Sequence, residues 1–325
     1  PSIQVGSLLK QINGNYRVGN SDYFIIEACE YCDSFLNFKQ HSALITNIDN
    51  DHLDYFGNLD NIVESFKKYM DCIDPEGYVA INLDNEYAMK VAPSVKSNLV
   101  TYSIKTTADV YATNITYDEL GCGEFDLYHN DTLLGRVHMS VPGEHNVSNA
   151  TGAASLALMY GIDFESIKEG LHDYEGANRR LEYKGVFKGA PVYDDYAHHP
   201  TEIKVTLEAA RQRFPDKRIV AIFKPNTYSR TRDFKFEFID ALNAADKAFM
   251  TDIECNRERQ EDYPGVSSNM ILLGLNDGEL ISDDTIEKLV NELNSVICVM
   301  GCASVTTLIQ SLKDFIDKVK VEENV

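Results

Sequence analysis

Four stretches of this 325-residue sequence gather side chains able to do chemistry, each placed where an apolar run gives way to polar residues. They are Glu27 after Phe24-Ile25-Ile26, Asn47 to Asp54 after Ala43-Leu44-Ile45, Asp194 to Glu202, and Thr227 to Arg232. In an open parallel α/β sheet, loops leaving the carboxyl ends of strands converge on one crevice. Acids, histidines and arginines collected there suit a metal-bound phosphate and a small substrate.

Each stretch has a chemical reading and a plainer one. Glu27 ends a strand, where nucleotide enzymes place an acid directed at Mg²⁺, or it is an ordinary loop acid. Asn47 to Asp54 combines acids, amides and His52, a donor set suited to Mg²⁺ or Mn²⁺, or it is a solvated loop. Pro142 to Ala150 is a turn running into a helix. Its His145, Asn146 and Asn149 either grip a purine edge or phosphate, or Asn146 or Ser148 simply caps the helix. Gly176 to Arg180 carries two arginines, for phosphate contact or as part of a linker.

Asp194-Asp195-Tyr196-Ala197-His198-His199-Pro200-Thr201-Glu202 is the densest of these clusters. Pro200 fits a first helical turn, which sets the preceding polar groups at a positively polarised helix start. Arg230 and Arg232 have the fork geometry to hold a carboxylate, or are surface charges. Cys29-x2-Cys32 lacks the second pair that structural zinc requires, so buried thiols are the reading chosen.

The elements that must position these groups alternate between strands and helices. In the first half, strands are expected at 22–27, 42–47 and 77–84, with a helix at 61–70. Residues 99–141, rich in Tyr, Thr and Val, are expected to be largely antiparallel, followed by a small-residue helix over 146–160. From about Arg180 the alternation predicts strands at 191–193, 218–223, 247–251 and 295–300. Helices are expected at 201–213, 233–244, 285–293 and 303–319, giving βαβ units on a mainly parallel sheet. The boundary is placed at 178/179, dividing the chain into domains 1–178 and 179–325.

Composition sets the outer limits. Apolar residues make up 44% and charged residues 25%, as in a globular protein. A formal net charge of −21 argues against a nucleic-acid or anionic-membrane partner, which calls for surplus Lys and Arg. No apolar run approaches the roughly 20 residues of a membrane span, and the N-terminus lacks the pattern of a signal peptide. Seven scattered cysteines fit free thiols and a cytoplasmic location. The chain opens on Pro1, which suggests processing or a truncated piece.

Glu27-Ala28-Cys29-Glu30, Asn47 to Asp54, Pro142 to Ala150, Gly176 to Arg180, Asp194 to Glu202 and Thr227 to Arg232, in that order, resemble the Mur ligases, and the likeness covers nearly the whole chain. Tyr228-Ser229-Arg230-Thr231-Arg232 is similar to the alanine-adding branch, whereas the Asp194 to Glu202 string is shared with the murein tripeptide branch. The resemblance implies an α/β fold: a central ATP-binding domain on a P-loop-like mixed sheet, here incomplete, then a Rossmann-like C-terminal domain. It implies ATP-driven joining of L-alanine to the lactyl carboxylate of UDP-N-acetylmuramate through an acyl phosphate, in peptidoglycan precursor synthesis. Tripeptide addition, or a remnant without catalysis, is the alternative.

By the same resemblance Glu27 and His52 would hold Mg²⁺ or Mn²⁺. His145, Asn146 and Asn149 would face adenine, and Arg179 or Arg180 the phosphates of ATP. Asp195, Tyr196 and His198 would line the nucleotide and amino-acid side, with Arg230 and Arg232 orienting the amino-acid carboxylate. The sequence departs from the family pattern at Cys29 and Cys32, where acids are usual, at Asn226, where a histidine is common, and at Gly301-Cys302-Ala303, which replaces a more glycine-rich turn. No G-x-x-x-x-G-K-[ST] occurs in the 325 residues. Alone, they are therefore expected to be inactive as a ligase.

Overall fold

Turn residues between apolar runs fold the chain into two units, Pro1–Ala177 and Asn178–Val325. The computed structural model describes residues 1–187, 189–254, 258–281 and 294–302.

The first unit opens on a three-stranded sheet of β1 (Ser2–Leu9), β2 (Gly14–Arg17) and β3 (Phe24–Ile26), in the order β2-β1-β3. β3 runs parallel to β1, which delivers Glu27 to a carboxyl end. A six-stranded sheet follows, built in sequence order from β4 (Ala43–Ile45), β5 (Tyr78–Asn82), β6 (Asn98–Ser103), β7 (Val110–Tyr117), β8 (Cys122–His129) and β9 (Thr132–Pro142). Helices α1 (Leu53–Phe56), α2 (Leu59–Met70), α3 (Glu86–Met89), α4 (Glu144–Met159) and α5 (Phe164–Asp173) complete the unit.

α2 starts where Asn58 accepts a hydrogen bond from the Asn61 N–H at 2.9 Å, satisfying an amide the helix leaves unpaired. Its Ile62, Val63, Tyr69 and Met70 are buried with Ile45, Val79 and Ile81 of β4 and β5. Each such side chain contributes roughly 1.5–3 kcal/mol of burial. α4 uses small residues to lie close on the sheet: a Cβ at Gly152 would stand 2.7 Å from Tyr102 Cζ and 3.0 Å from Leu44 Cδ1.

Over 99–141 the sheet is largely antiparallel, as expected, except at its first strand. β6 pairs in parallel with both β5 and β7, and the antiparallel ladder begins only between β7 and β8. Tight reversals need turn residues, and these sit at Gly121 (φ 74°), Asn130 (φ 47°) and Asp131 (φ 59°), after β7 and after β8. Helix α5 was not foreseen.

In the second unit β10 (Glu182–Phe187), β11 (Ala190–Asp195), β12 (Arg218–Lys224), β13 (Lys247–Met250), β14 (Gly278–Leu280) and β15 (Ser295–Gly301) stand in the order β10-β11-β15-β12-β13-β14. All neighbours are parallel except the antiparallel edge strand β10. β15 is buried along its whole length, as a strand covered on both faces must be. Its register sets Met300 opposite Asp195 and Gly301 opposite Lys224, so β11, β12 and β15 end together. Helices α6 (Pro200–Arg213), α7 (Tyr228–Asp233), α8 (Lys235–Leu242) and α9 (Asn269–Leu272) link the strands. The helix expected over 233–244 is α8, and the short α7 precedes it. Those expected at 285–293 and 303–319 lie outside the described residues, as do Cys255 and Ala303.

Candidate functional site

The shared end of β11, β12 and β15 collects most of the second unit's chemistry. Asp194 is fully buried and takes the Arg179 guanidinium, with Nε at 3.1 Å and Nη2 at 3.3 Å. Arg179 Nη2 also donates to the carbonyls of Gly301 at 2.7 Å and Cys302 at 3.0 Å, and the guanidinium lies over the Tyr196 ring at 4.9 Å. The arginine considered for phosphate contact therefore ties three chain segments together. Arg179 (φ 60°) and Leu181 (φ 45°) both hold left-handed backbone, a conformation that costs on the order of 1 kcal/mol outside glycine. Arg180 is exposed, and its Nη1 stands 3.6 Å from Glu202.

Asp195 accepts the N–H groups of Leu181 at 2.7 Å and Ala197 at 2.8 Å. Burial pushes its carboxyl up to about 6, and those two hydrogen bonds only partly oppose the rise. The Pro200 expectation holds: α6 begins there, with His199 as its cap. His199 Nδ1 accepts from the Thr201 N–H at 3.3 Å. Glu202 Oε2 accepts from the N–H groups of His198 at 2.9 Å and His199 at 3.1 Å. Burial alone would raise the Glu202 carboxyl, but His198, those amides and Arg180 hold it below its ordinary value.

His198 Nδ1 stands 2.9 Å from the Tyr196 carbonyl oxygen. A carbonyl can only accept, so Nδ1 carries the proton, and in the neutral ring Nε2 is the basic nitrogen. From the end of β12, Asn226 Nδ2 donates to Cys302 Sγ at 3.1 Å, and Arg230 Nη1 donates to Asn226 Oδ1 at 3.4 Å. Burial raises the Tyr196 hydroxyl and the Cys302 thiol, which are hydrogen-bonded to each other. Arg232 is turned to its neighbour Asp233, with Nε at 2.7 Å and Nη2 at 3.1 Å. The structure thus links Tyr196, His198, Arg230 and Arg179 in one region, while Arg232 pairs outward.

The first unit's candidates fall in two places. Glu27 is exposed at the end of β3, and one carboxylate oxygen accepts from the Gly6 N–H at 2.7 Å. A Cβ at position 6 would stand 3.2 and 3.3 Å from the two oxygens, so glycine leaves the carboxylate its room. His52, in left-handed backbone (φ 54°), has Nε2 3.5 Å from Glu30 and 3.9 Å from Asp51, with its ring 4.7 Å from that of Tyr31. Among the described residues no three His, Cys, Asp or Glu side chains close on a metal position. Mg²⁺ asks less, keeping waters and phosphate oxygens beside one or two carboxylates, so the hard donors at Glu27 and around His52 fit it.

α4 begins at Glu144, after Gly143 (φ 100°), so Asn146 and Ser148 lie inside the helix and cap nothing. Asn146 Nδ2 reaches back to the Pro142 carbonyl at 2.8 Å. Asn149, three residues on, is exposed on the same face, and His145 is half-buried beside them. These groups can meet a purine edge, whereas a phosphate-cradling loop is not among the 325 residues. Cys29 and Cys32 are exposed rather than buried, and Cys32 lies in a 3-10 turn (Tyr31–Asn37) interrupted by its own left-handed backbone (φ 53°) and that of Asp33 (φ 54°).

Sequence reasoning gave no role to Glu30, Asp194 or Glu258. Glu30 and Asp194 sit inside clusters already singled out. Glu258 comes from the charged run Arg257-Glu258-Arg259-Gln260-Glu261-Asp262, where nothing in the pattern separates it from its neighbours.

Two family models cover the chain: the Mur ligase middle domain over residues 3–157, and the Mur ligase, glutamate ligase domain over 179–303. A UDP-N-acetylmuramate--L-alanine ligase from Caldanaerobacter subterraneus is 44% identical over 275 residues, 85% of this chain and 59% of that protein. The chain thus spans about 59% of the length of that relative. The fold is similar to that of the UDP-N-acetylmuramate-alanine ligase from Thermotoga maritima, with TM-score 0.77 and 24% identity over 99% of this chain and 69% of the other. It is also similar to the MurF ligase from Thermotoga maritima in complex with ADP, with TM-score 0.72 and 16% identity over 100% of this chain and 75% of that one.

Proposed function

The chain belongs to the Mur ligase family, and on that premise we propose that it is the ATP-binding and amino-acid-binding portion of an enzyme joining L-alanine to UDP-N-acetylmuramate. The observation that carries this reading is the common end of β11, β12 and β15, with Tyr196, His198, Asn226 and Arg230 gathered there. A relative at 44% identity bearing the alanine-adding name supports the choice of amino acid. The reading places the protein in peptidoglycan precursor synthesis in the cytoplasm. Among the described residues no helix is long and apolar enough to cross a membrane.

In this reading Asn146, Asn149 and His145 take the adenine edge, and exposed Arg180 reaches phosphate. Glu27 and His52 would hold Mg²⁺, with Mn²⁺ as its substitute. ATP with its metal would supply the phosphoryl group that turns the lactyl carboxylate into an acyl phosphate, releasing ADP, and amine attack at that carbonyl would expel inorganic phosphate. Arg230, supported by Asn226, and Arg232, once released from Asp233, bind the carboxylate of alanine and so aim its amine. His198 Nε2 is the basic nitrogen suited to take the proton the amine sheds. Asp195 and Tyr196 line this side, and Asp195 keeps the start of the second unit against β11. Arg179 is an organiser of this region, since its fork is already engaged.

The test is ADP release from ATP by the full-length protein with UDP-N-acetylmuramate, L-alanine and Mg²⁺. Release is expected to require all three and to be several-fold faster with L-alanine than with the tripeptide L-Ala-D-Glu-meso-diaminopimelate. Preference for the tripeptide would reassign the substrate, and no ADP release with either would sink the reading.

A further inference from the structure

We propose that Glu258 is a positioning residue: it fixes the turn bearing Arg230 and Arg232, and so sets how the carboxylate of the substrate amino acid is held. The inference rests on the reading of those arginines given above and adds to it the residue that aims them.

Thr227, which precedes α7, has extended backbone (φ −147°, ψ 145°) and makes no side-chain cap. The first amides of α7 are met instead from far along the chain. Glu258 Oε2 accepts from the N–H of Tyr228 at 2.6 Å and of Ser229 at 3.1 Å. Its Oε1 accepts from the Ser229 hydroxyl and, at 3.4 Å, from the Tyr263 hydroxyl. Hydrogen bonds to an ionised carboxylate are about twice as strong as neutral ones.

A helix of six residues has little stability of its own, so what holds its ends decides where it points. At one end stands Glu258. In the next turn Thr231, almost wholly buried, donates its hydroxyl to the Thr227 carbonyl at 2.7 Å. The Tyr263 ring stacks on Tyr228 with centroids 5.9 Å apart and lies 5.5 Å from the Arg232 guanidinium. Residues 258–263 thus form a bracket around α7, and Glu258 is its polar contact. The residue acts through the turn, on the arginines, and takes no chemical step itself.

The experiment uses the full-length protein and compares steady-state constants for all three substrates. Glu258→Ala is expected to raise KM for L-alanine about tenfold, one such charge-assisted contact's worth. KM for ATP, KM for UDP-N-acetylmuramate and kcat are expected to stay within about twofold of wild type. Glu258→Gln, which keeps an acceptor oxygen for both amides, is expected to recover most of the alanine affinity. Should Glu258→Ala fail to fold, Ser229→Ala decides, with an expected rise of about threefold in the same constant.

A wild-type protein that does not use L-alanine overturns the functional reading and this inference together. A wild type that does, with the alanine KM unmoved in the decisive variant, overturns the inference alone. So does a parallel rise in all three KM values with a lowered melting temperature, the mark of a general structural role.

Discussion

Asn226 Nδ2 donates to Cys302 Sγ at 3.1 Å, joining the loop after β12 to the end of β15. These are two of the positions at which the sequence was expected to depart from the Mur ligase pattern, and they touch. A double-mutant cycle with Asn226→Ala and Cys302→Ala is expected to give a coupling of about 0.5–1.5 kcal/mol in urea unfolding, against zero for independent sites.

The cysteines should sort by environment. Cys298 is fully buried in β15, and burial pushes its thiol up to about 12. Cys302 is half-buried and raised by the same cause, whereas Cys29 and Cys32 are exposed. Native-state alkylation at pH 8, followed by mass spectrometry, is expected to label Cys29 and Cys32 first, Cys302 slowly and Cys298 only on unfolding. Early labelling of Cys298 would contradict the burial of β15.

Arg179 and Asp194 form an ion pair whose acid has no exposure to water. Removing one partner strands a buried charge, so Arg179→Met is expected to cost about 3–5 kcal/mol. Arg179→Lys keeps the charge but loses the fork, and should fall between wild type and that variant. Adding Asp194→Asn to Arg179→Met is expected to return part of the loss. Urea unfolding followed by circular dichroism measures all three.

Asp195 makes stability depend on pH in a direction opposite to that of most acids. Its folded-state value of about 6 lies above the ordinary 3.8. The stability associated with the neutral carboxyl is complete below the unfolded value and is lost as pH rises through about 6. A carboxyl so displaced costs the folded state roughly 3 kcal/mol once ionised. Asp195→Asn cannot ionise, so its stability relative to wild type is expected to climb between pH 4 and pH 7. A difference that stays flat over that interval would contradict the assignment.

Gly152 sits within α4, where replacing glycine by alanine ordinarily gains about 1 kcal/mol. Here the new Cβ would meet buried Tyr102 at 2.7 Å, and Gly152→Ala is expected to destabilise by about 1–3 kcal/mol instead. Tyr102→Leu should relieve the clash, making the second substitution less costly in the double variant than its own effect in wild type. Thermal unfolding of the four proteins settles the sign.

Much of this was legible from residue patterns because burial on both faces writes continuous apolar runs. Ile219 to Phe223 and Val296 to Met300 read as strands and are strands. Pro200 marked the start of α6 because its fixed φ and missing N–H suit that position. β10 and β14 carry few buried side chains and left little trace, since edge strands are held by backbone bonds that any sequence can make. Over 99–141 the antiparallel run of β7, β8 and β9 was legible, whereas the parallel pairing of β6 was not, because strand propensity does not encode direction. At the site, the acids, histidines and arginines announced themselves by density, but their partners did not. That Arg179 turns to Asp194 while Arg180 is exposed depends on a backbone reversal at Arg179 and Leu181, residues that seldom adopt it.

β15 is the last described strand in sequence yet stands between β11 and β12 in the sheet. During synthesis on the ribosome, β11 emerges about a hundred residues, and β12 about seventy, before the strand that separates them. Until residue 301 clears the exit tunnel, their inner edges have no native neighbour and invite mispairing. The six-stranded sheet of the first unit, laid down strand by strand in order of translation, meets no such wait. A nascent chain halted before β15 should therefore carry a protease-resistant front half and a chaperone-dependent remainder.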